Sequence, residues 1–393
     1  MVEDRVKIIR AGFIALTDCA PIVIARELDL DRHFGLRIEP VRLPSWAAMR
    51  DHLAFEKLDC AHMLSGLALA MHLGLGGLRT TLSVPLLLGR GGNAITISSA
   101  LYSEALAQSG GREIFNRAES AKLLKPVVDA RRKAGAAPIR LAMVHAFSSH
   151  NYELRAWLAH GGVDPDRDVE LIVVPPRRMV EALRSGDVDG YCVGEPWSQV
   201  AVEEGLGRIV ATKADLYPGS PEKALAFRAS WAAGHAESVA ALVEVFASAM
   251  SWASKAENRS DLAYMLSRPA YLNVDHEVIL QGLMCAPRLV PGDMRQPIDE
   301  YLRFGGLGCG YPHEDAALWL YAQMRRWGQV GPGLEAEARQ LFDPSVIERN
   351  IRFSGEPKFQ LGHRAKAAPF DGVGFSGGDV EGYAMSFPIS HRA

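Results

Sequence analysis

No uninterrupted apolar run in this chain is long enough to span a bilayer. The longest runs, such as SVPLLLG, fall far short of the roughly 20 residues a crossing helix needs, so no transmembrane helix is expected. A strong charge of either sign is missing too. A net charge of −3 over 393 residues gives no reason to expect a gripped polyanion. Cysteine is scarce: Cys19, Cys60, Cys192, Cys285 and Cys309 are odd in number, form no CxxC, and fall in apolar or Gly-rich settings. Buried free thiols are expected there, not a disulfide framework. Catalytic signatures are absent as well. There is no GxSxG elbow, no GxxxxGK[ST] phosphate loop and no HExxH pair. None of the twelve histidines pairs with another on one helix face beside a carboxylate, so neither a metal nor a cofactor is expected, and no enzymatic activity.

What the chain does have is the same pattern twice. From Val6 to Met63 it reads strand, loop, helix, strand, helix, strand, and from Pro138 to Pro196 that order returns. VKIIRAGF answers to IRLAMVHA, LRIEPVRLPSWAAMRDHL to VELIVVPPRRMVEAL, and KLDCAHML to DVDGYCVG. Ile38-Glu39 stands 131 positions before Val169-Glu170, and Leu58-Asp59-Cys60 stands 130 before Val188-Asp189-Gly190. The length also exceeds a single ordinary core. Two α/β lobes are therefore expected, with a cleft between them of the kind small ligands occupy.

The spacing predicts strands over 6–13, 36–41 and 58–64, and a helix opened by Ser45 as N-cap. Residues 80–101 read as strand, glycine turn, strand. Residues 103–137 read as polar helix leading to the second lobe. Helix is expected after Trp197, strand at RIVAT and LAFRAS, then Ala-rich helix over 236–268 and another over 314–326. The expected division is 1–92 for the first part of lobe 1, 93–222 for lobe 2 and 223–353 for the rest of lobe 1. Residues 354–393, rich in Gly, Pro and Ser, are expected to form an irregular tail. Two crossings between lobes make a hinge, and hinge closure around a ligand is the standard motion of such a design.

Four positions stand out for chemistry. His150 ends VHAFSSH at the start of a helix, where unpaired N–H groups and a partial positive charge suit a small anion. Trp46 holds the analogous place in the first lobe and could lie flat against a planar ligand. Asn93 follows two glycines, where backbone comes close to whatever fills the cleft. Lys223 sits in the turn of PEKA ahead of a strand. His62 and His72 lie in apolar surroundings and are read as packed, hydrogen-bonded core residues.

At these residues the chain resembles the nitrate/nitrite/bicarbonate-binding branch of substrate-binding proteins that serve ABC importers. The segments that carry the likeness are GFIALTDCAPIVIARELDLDRHFGL, PSWAAMRDHL, LDCAHML, SHNYELR, GGVDPDRDVELIVVPP, CVGEPW and PEKALAFR, in order from about residue 7 to 330. The resemblance implies a type II periplasmic-binding-protein fold holding one oxyanion between its lobes. It assigns Trp46, His150 and Lys223 to the ligand, adds Val193, Gly194 and Glu195 through backbone, and puts Asn93 where the importers commonly have Gln. Nitrate offers only acceptors, so donors and positive charge are expected around it with no carboxylate facing the ion. Bicarbonate needs an acceptor, and its sub-branch has an acidic residue in place of the lysine. Lys223 therefore points to nitrate or nitrite, although the adjacent Glu222 would reverse this if the register slipped by one.

Glu3 and Asp4 stand where a secretory signal would carry basic residues. Read as the natural start, they lead to a cytoplasmic expectation and to a likeness to the NasS-type nitrate sensors of nitrate-assimilation operons. The resemblance then implies a sensor that binds a NasT-like RNA-binding antiterminator and releases it when nitrate arrives. The alternative is a periplasmic importer subunit partnered by an ABC permease.

Overall fold

The computed structural model describes residues 6–306, 308–350 and 369–391. Among these, eleven strands occur in chain order: β1 Lys7–Phe13, β2 Leu36–Arg42, β3 Cys60–Leu64, β4 Leu82–Gly91, β5 Asn93–Ser98, β6 Ile139–Met143, β7 Val169–Val173, β8 Gly190–Gly194, β9 Gly207–Thr212, β10 Lys223–Arg228 and β11 Leu302–Arg303. They make two sheets, a six-stranded one in the order β11-β4-β10-β3-β1-β2 and a five-stranded one in the order β7-β6-β8-β5-β9.

The internal repeat is visible in the pairing. β1 lies parallel to β2 and β3, and β6 lies parallel to β7 and β8. Each trio is then joined by an antiparallel strand from outside its own repeat, β10 beside β3 and β5 beside β8. The parallel strands carry buried apolar residues, as sheets covered on both faces must. Helices supply that cover, with caps where the sequence places them. Ser45 Oγ accepts from Ala48 N at 3.2 Å ahead of the helix Trp46–Ala54. Ser148 Oγ accepts from Asn151 N at 3.1 Å ahead of the helix Ser149–His160.

The chain leaves the first sheet at Gly91, enters the second at Asn93, and returns between Thr212 and Lys223. β4 and β5 thus belong to different sheets, and the glycine turn between them is where the chain crosses. Gly91 and Gly92 make the bend with φ of 78° and 82°. A Cβ on Gly91 would stand 2.2 Å from the Tyr301 carbonyl oxygen, so both conformation and space require glycine there.

Two expectations change. The Ala-rich pattern over 236–268 is two helices, Ala236–Ser254 and Arg259–Ser267, because Lys255 is extended (φ −77°, ψ 132°) and breaks the run. The first of these is long and apolar enough by composition to cross a membrane. Val239, Leu242, Val243 and Phe246 are nevertheless buried, in one core with Ile22, Val23 and Ile24 of the helix Ala20–Glu27. That packing is what a core helix of a globular protein shows. The second change concerns the tail. Residues 354–368 lie outside the described residues, but 369–391 are organised around aromatic contacts. Phe370 meets Tyr217 at 5.4 Å and His160 at 4.9 Å between ring centres. The short helix Val380–Met385 packs Tyr383 and Phe387 edge-to-face at 5.2 Å, and Tyr383 OH accepts from Gln323 Nε2 at 3.2 Å. The five cysteines are free thiols.

Candidate functional site

In open α/β sheets, ligands settle outside the carboxyl ends of the parallel strands. β1 ends at Phe13 and runs into the 3-10 turn Thr17–Cys19, which carries Asp18. β6 ends at Met143, and the helix that follows begins Ser149-His150. Both ends open onto the space between the sheets, where β10 starts with Lys223 and β5 with Asn93.

Around this space the structure gathers a buried polar cluster. Lys223 Nζ donates to Glu222 Oε1 at 2.6 Å and lies 2.8 Å from Asp18 Oδ2 and 5.6 Å from the centre of the Trp46 ring. His62 Nε2 stands 3.0 Å from Asp18 Oδ1, and its ring is 5.9 Å from that of Trp46. From the other sheet's side, Lys213 Nζ donates to Glu153 Oε1 and Glu222 Oε2, both at 2.7 Å. Asn93 Nδ2 donates to Glu222 Oε2 at 2.7 Å and to the two Glu153 oxygens at 3.1 and 3.2 Å. Ser149 Oγ donates to Glu222 Oε2 as well, and His150 Nδ1 lies 3.9 Å from Glu222 Oε1. Glu222 therefore joins residues of both sheets.

Several buried groups here have no hydrogen-bond partner. They are Trp46 Nε1, both ring nitrogens of His150, His62 Nδ1, Ser65 Oγ and Asn93 Oδ1. Unpaired buried polar groups are costly and rare, and their convergence makes this the candidate place for a polar ligand. The Asn93 orientation is fixed by its surroundings, because a flipped amide would set its oxygen against two carboxylates. Gly194 borders the same space. A Cβ there would lie 3.5 Å from Asn93 Oδ1, 3.5 Å from Leu16 Cδ2 and 3.7 Å from Asp18 Oδ2.

Charge balance follows from the contacts. Burial works against the Asp18 charge, but Lys223 and His62 outweigh it and hold the carboxyl below its ordinary range. For Glu222 burial is likewise outweighed, by Lys213 and Lys223, and the group stays well below the usual carboxylate value. Glu153 goes the other way, since burial and the nearby Glu222 exceed what Lys213 returns. Burial depresses His150 to about 3, so its imidazole is neutral in this arrangement. Both lysines stay charged, raised by the carboxylates they touch despite burial.

The structure thus brings together Trp46, Asn93, His150, Gly194 and Lys223. It corrects the picture of a site with no carboxylates, because Asp18, Glu153 and Glu222 are all in it. Asn93 is not a free donor either: its amino group is spent on Glu222 and Glu153, and its open atom is an acceptor. Glu195 uses its backbone elsewhere, N–H to the Gly92 carbonyl and carbonyl to the Thr17 N–H, both at 2.8 Å. Its side chain accepts from the Tyr301 hydroxyl. Val193 is buried in β8 opposite Ala94, while Gly194 opposite Asn93 reaches the gap. His62, read as a core residue, belongs to the cluster instead. His72 is the packed residue that was expected, with Nδ1 3.1 Å from the Leu82 carbonyl.

Asp18, Ser149, Glu153 and Lys213 were not anticipated. Two of them leave a trace in the sequence. Asp18 is a lone acid between two apolar segments, and Glu153 falls three residues after His150, hence on the same helix face. Lys213 leaves none.

Two like α/β lobes closing on a buried polar cluster define a binding protein of the periplasmic-binding-protein fold. Residues 4–267 match the NMT1-like family, and the chain belongs to it, in the nitrate-, nitrite- and bicarbonate-binding branch of ABC substrate-binding proteins. It is 33% identical to the nitrate import ATP-binding protein NrtC of Synechocystis sp. over 97% of its length. It is also 33% identical to the bicarbonate transport ATP-binding protein CmpC of Synechococcus elongatus, again over 97% of its length. In each case the match covers 55% of the relative, so the chain spans about half the length of these curated relatives. The crystal structure of the periplasmic nitrate-binding protein NrtA from Synechocystis PCC 6803 superposes with a TM-score of 0.88 at 25% identity, covering 98% of this chain and 99% of that one.

Proposed function

We propose that this protein binds a small monovalent oxyanion, nitrate or nitrite, between its two sheets, without turning it over, as the binding component of an ABC import system. The observation that carries this is the set of unpartnered buried groups beside the Lys223–Glu222 pair: Trp46 Nε1, whose ring lies 5.6 Å from Lys223 Nζ, and both nitrogens of the His150 ring, with Nδ1 3.9 Å from Glu222 Oε1. The likeness to NrtA over nearly the whole chain supports the same ligand and a periplasmic place of work.

Lys223 no longer excludes bicarbonate by itself. Glu222 and Asn93 Oδ1 are acceptors at the site, and an O–H-bearing anion would suit them. The resemblance to CmpC is as great as that to NrtC. Calorimetric titration with nitrate, nitrite, bicarbonate and taurine decides among them. Nitrate or nitrite is expected to bind, and Lys223→Gln, checked for folding by its thermal melt, is expected to weaken that binding at least tenfold. A preference for taurine, or binding untouched by Lys223→Gln, contradicts the proposal.

The second reading is a cytoplasmic nitrate sensor that frees a NasT-like antiterminator on closure. It is favoured by the match to part of an ATP-binding import protein, since a like segment then also occurs outside free solute carriers. A partner that fits only the open form would lose affinity when the anion closes the lobes. Cell fractionation, with pull-down in the presence and absence of nitrate, separates the two readings. A periplasmic protein that retains no RNA-binding partner leaves the importer role, and a cytoplasmic one that sheds such a partner with nitrate establishes the sensor.

A further inference from the structure

We propose that the site takes up one proton together with its anion, and that His150 holds that proton. This rests on the reading of the cleft as an oxyanion site and adds the charge state in which the ligand is bound.

The lysines are already spent. Lys223 faces Asp18 at 2.8 Å and Glu222 at 2.6 Å, and Lys213 faces Glu153 and Glu222 at 2.7 Å each. Two lysines thus stand against three carboxylates, and even counting His62 against Asp18 the fixed charges at most cancel these three. Every one of these side chains is buried; Asp18, the most exposed, shows 7% of its side-chain surface. A nitrate or nitrite brought among them adds a negative charge where water does not reach, and an uncompensated buried charge is strongly disfavoured. Among the described residues no group of histidine, cysteine and carboxylate side chains is arranged to hold a metal ion. A proton from solvent is the remaining counter-charge.

His150 is the group placed to receive it. Its ring is fully buried, both nitrogens are unpartnered, and it occupies the first turn of the helix Ser149–His160. The charged groups facing it are Glu222 just before β10, Lys223 at its start, Lys213 of the short helix Lys213–Leu216, and Asp18 of the turn Thr17–Cys19. Glu153 follows one turn on in its own helix. An imidazolium here presents one N–H to the anion and turns the other toward Glu222 Oε1, 3.9 Å from Nδ1. The other titratable groups are engaged: His62 stands against Asp18 at 3.0 Å, and Glu153 accepts from Lys213 and Asn93. Without an anion, burial keeps His150 neutral, with a pKa down to about 3. An anion against the ring moves that value upward.

Calorimetry with nitrate in bis-Tris, imidazole and Tris buffers tests this, since these cationic buffers bring no competing sulfonate or phosphate. The expected result is a binding enthalpy that varies with buffer ionisation enthalpy and corresponds to uptake of about one proton. Affinity should fall about tenfold per pH unit between pH 6 and 8. His150→Gln keeps a donor and an acceptor but cannot titrate, so it should bind more weakly and with no pH slope, while His62→Asn should weaken binding yet keep the slope. The imidazole NMR spectrum of the unmodified protein reads the same proton directly, as two His150 N–H groups with nitrate and one without. Buffer-independent heats and a flat pH profile in the unmodified protein overturn the inference while leaving oxyanion binding intact. Proton uptake that survives in His150→Gln overturns the assignment to His150. Absence of any binding of nitrate or nitrite overturns the oxyanion reading, and this inference with it.

Discussion

Lys213 ends between two buried carboxylates, 2.7 Å from each, and is the cation that lets Glu153 and Glu222 sit together. Removing it leaves unpaired charge in the interior. Lys213→Met is expected to destabilise the fold by about 3–5 kcal/mol, read by urea denaturation. Adding Glu153→Gln to that variant should restore part of the loss; equal stability of the single and double variants would contradict the coupling. Residues of this kind were illegible in the sequence. A lysine or glutamate in a helix is ordinarily solvated, and only the meeting of segments 60 positions apart buries these. Trp46, His150 and Lys223 could be singled out because each stands at the start of an element, where local chemistry is readable. Glu222 was named only as a caution, and its side chain proves central. Gly194 borders the site by lacking a side chain. Gly194→Ala has room for its methyl group, with neighbours at 3.5 Å or more. It should therefore keep its stability while losing nitrate affinity at least tenfold, as the methyl fills the gap beside Asn93.

At the scale of elements, the segment following β8 binds the lobes to one another. Thr17 N–H donates to the Glu195 carbonyl at 2.8 Å, and Trp197 Nε1 donates to the Ala15 carbonyl at 3.0 Å. Glu195 itself is buried with Tyr301 as its hydrogen-bond donor, and burial raises its carboxyl to about 8. The folded protein therefore holds a proton on Glu195 that the unfolded chain releases near pH 4.5. The resulting stability is fully present below that pH and is lost as pH rises through about 8. Urea midpoints at pH 5 and pH 8 should show the native protein weaker at pH 8 by a few kcal/mol, since each pH unit crossed in that window removes about 1.4 kcal/mol. Glu195→Gln should remove most of that difference, and an unchanged pH dependence would show that Glu195 is not its source. Strand and helix positions were mostly readable from periodicity, including the Ser45 cap. The break of the Ala-rich run at Lys255 was not, because neither glycine nor proline marks a stop there.

For the whole molecule, the repeat in the sequence is the repeat in the fold. Two sheets with the same parallel core exchange one antiparallel strand each, and the buried polar cluster falls at their junction. Helix 314–326 and the residues after it add contacts across that junction. Gln329 accepts from Tyr152 OH and donates to the Ala146 carbonyl, both at 2.9 Å, and Asp371 accepts from Tyr217 OH at 3.1 Å. The order of residues 369–391 was hidden in a composition typical of loose segments, because Phe370 packs on Tyr217 and His160, more than 150 positions away. An anion held between the lobes must stabilise the closed form. At a hundredfold excess over its dissociation constant, nitrate should add about 2.7 kcal/mol to unfolding stability. Chemical denaturation with and without nitrate measures this, and taurine at equal concentration should add nothing.

The most direct test is a crystal structure of the protein grown with nitrate. The account predicts a single planar anion between the sheets, against the Trp46 ring, within hydrogen-bond distance of His150 and Lys223 and bordered by Gly194. A nitrate bound elsewhere, or a junction filled by the protein's own side chains at saturating nitrate, would contradict it.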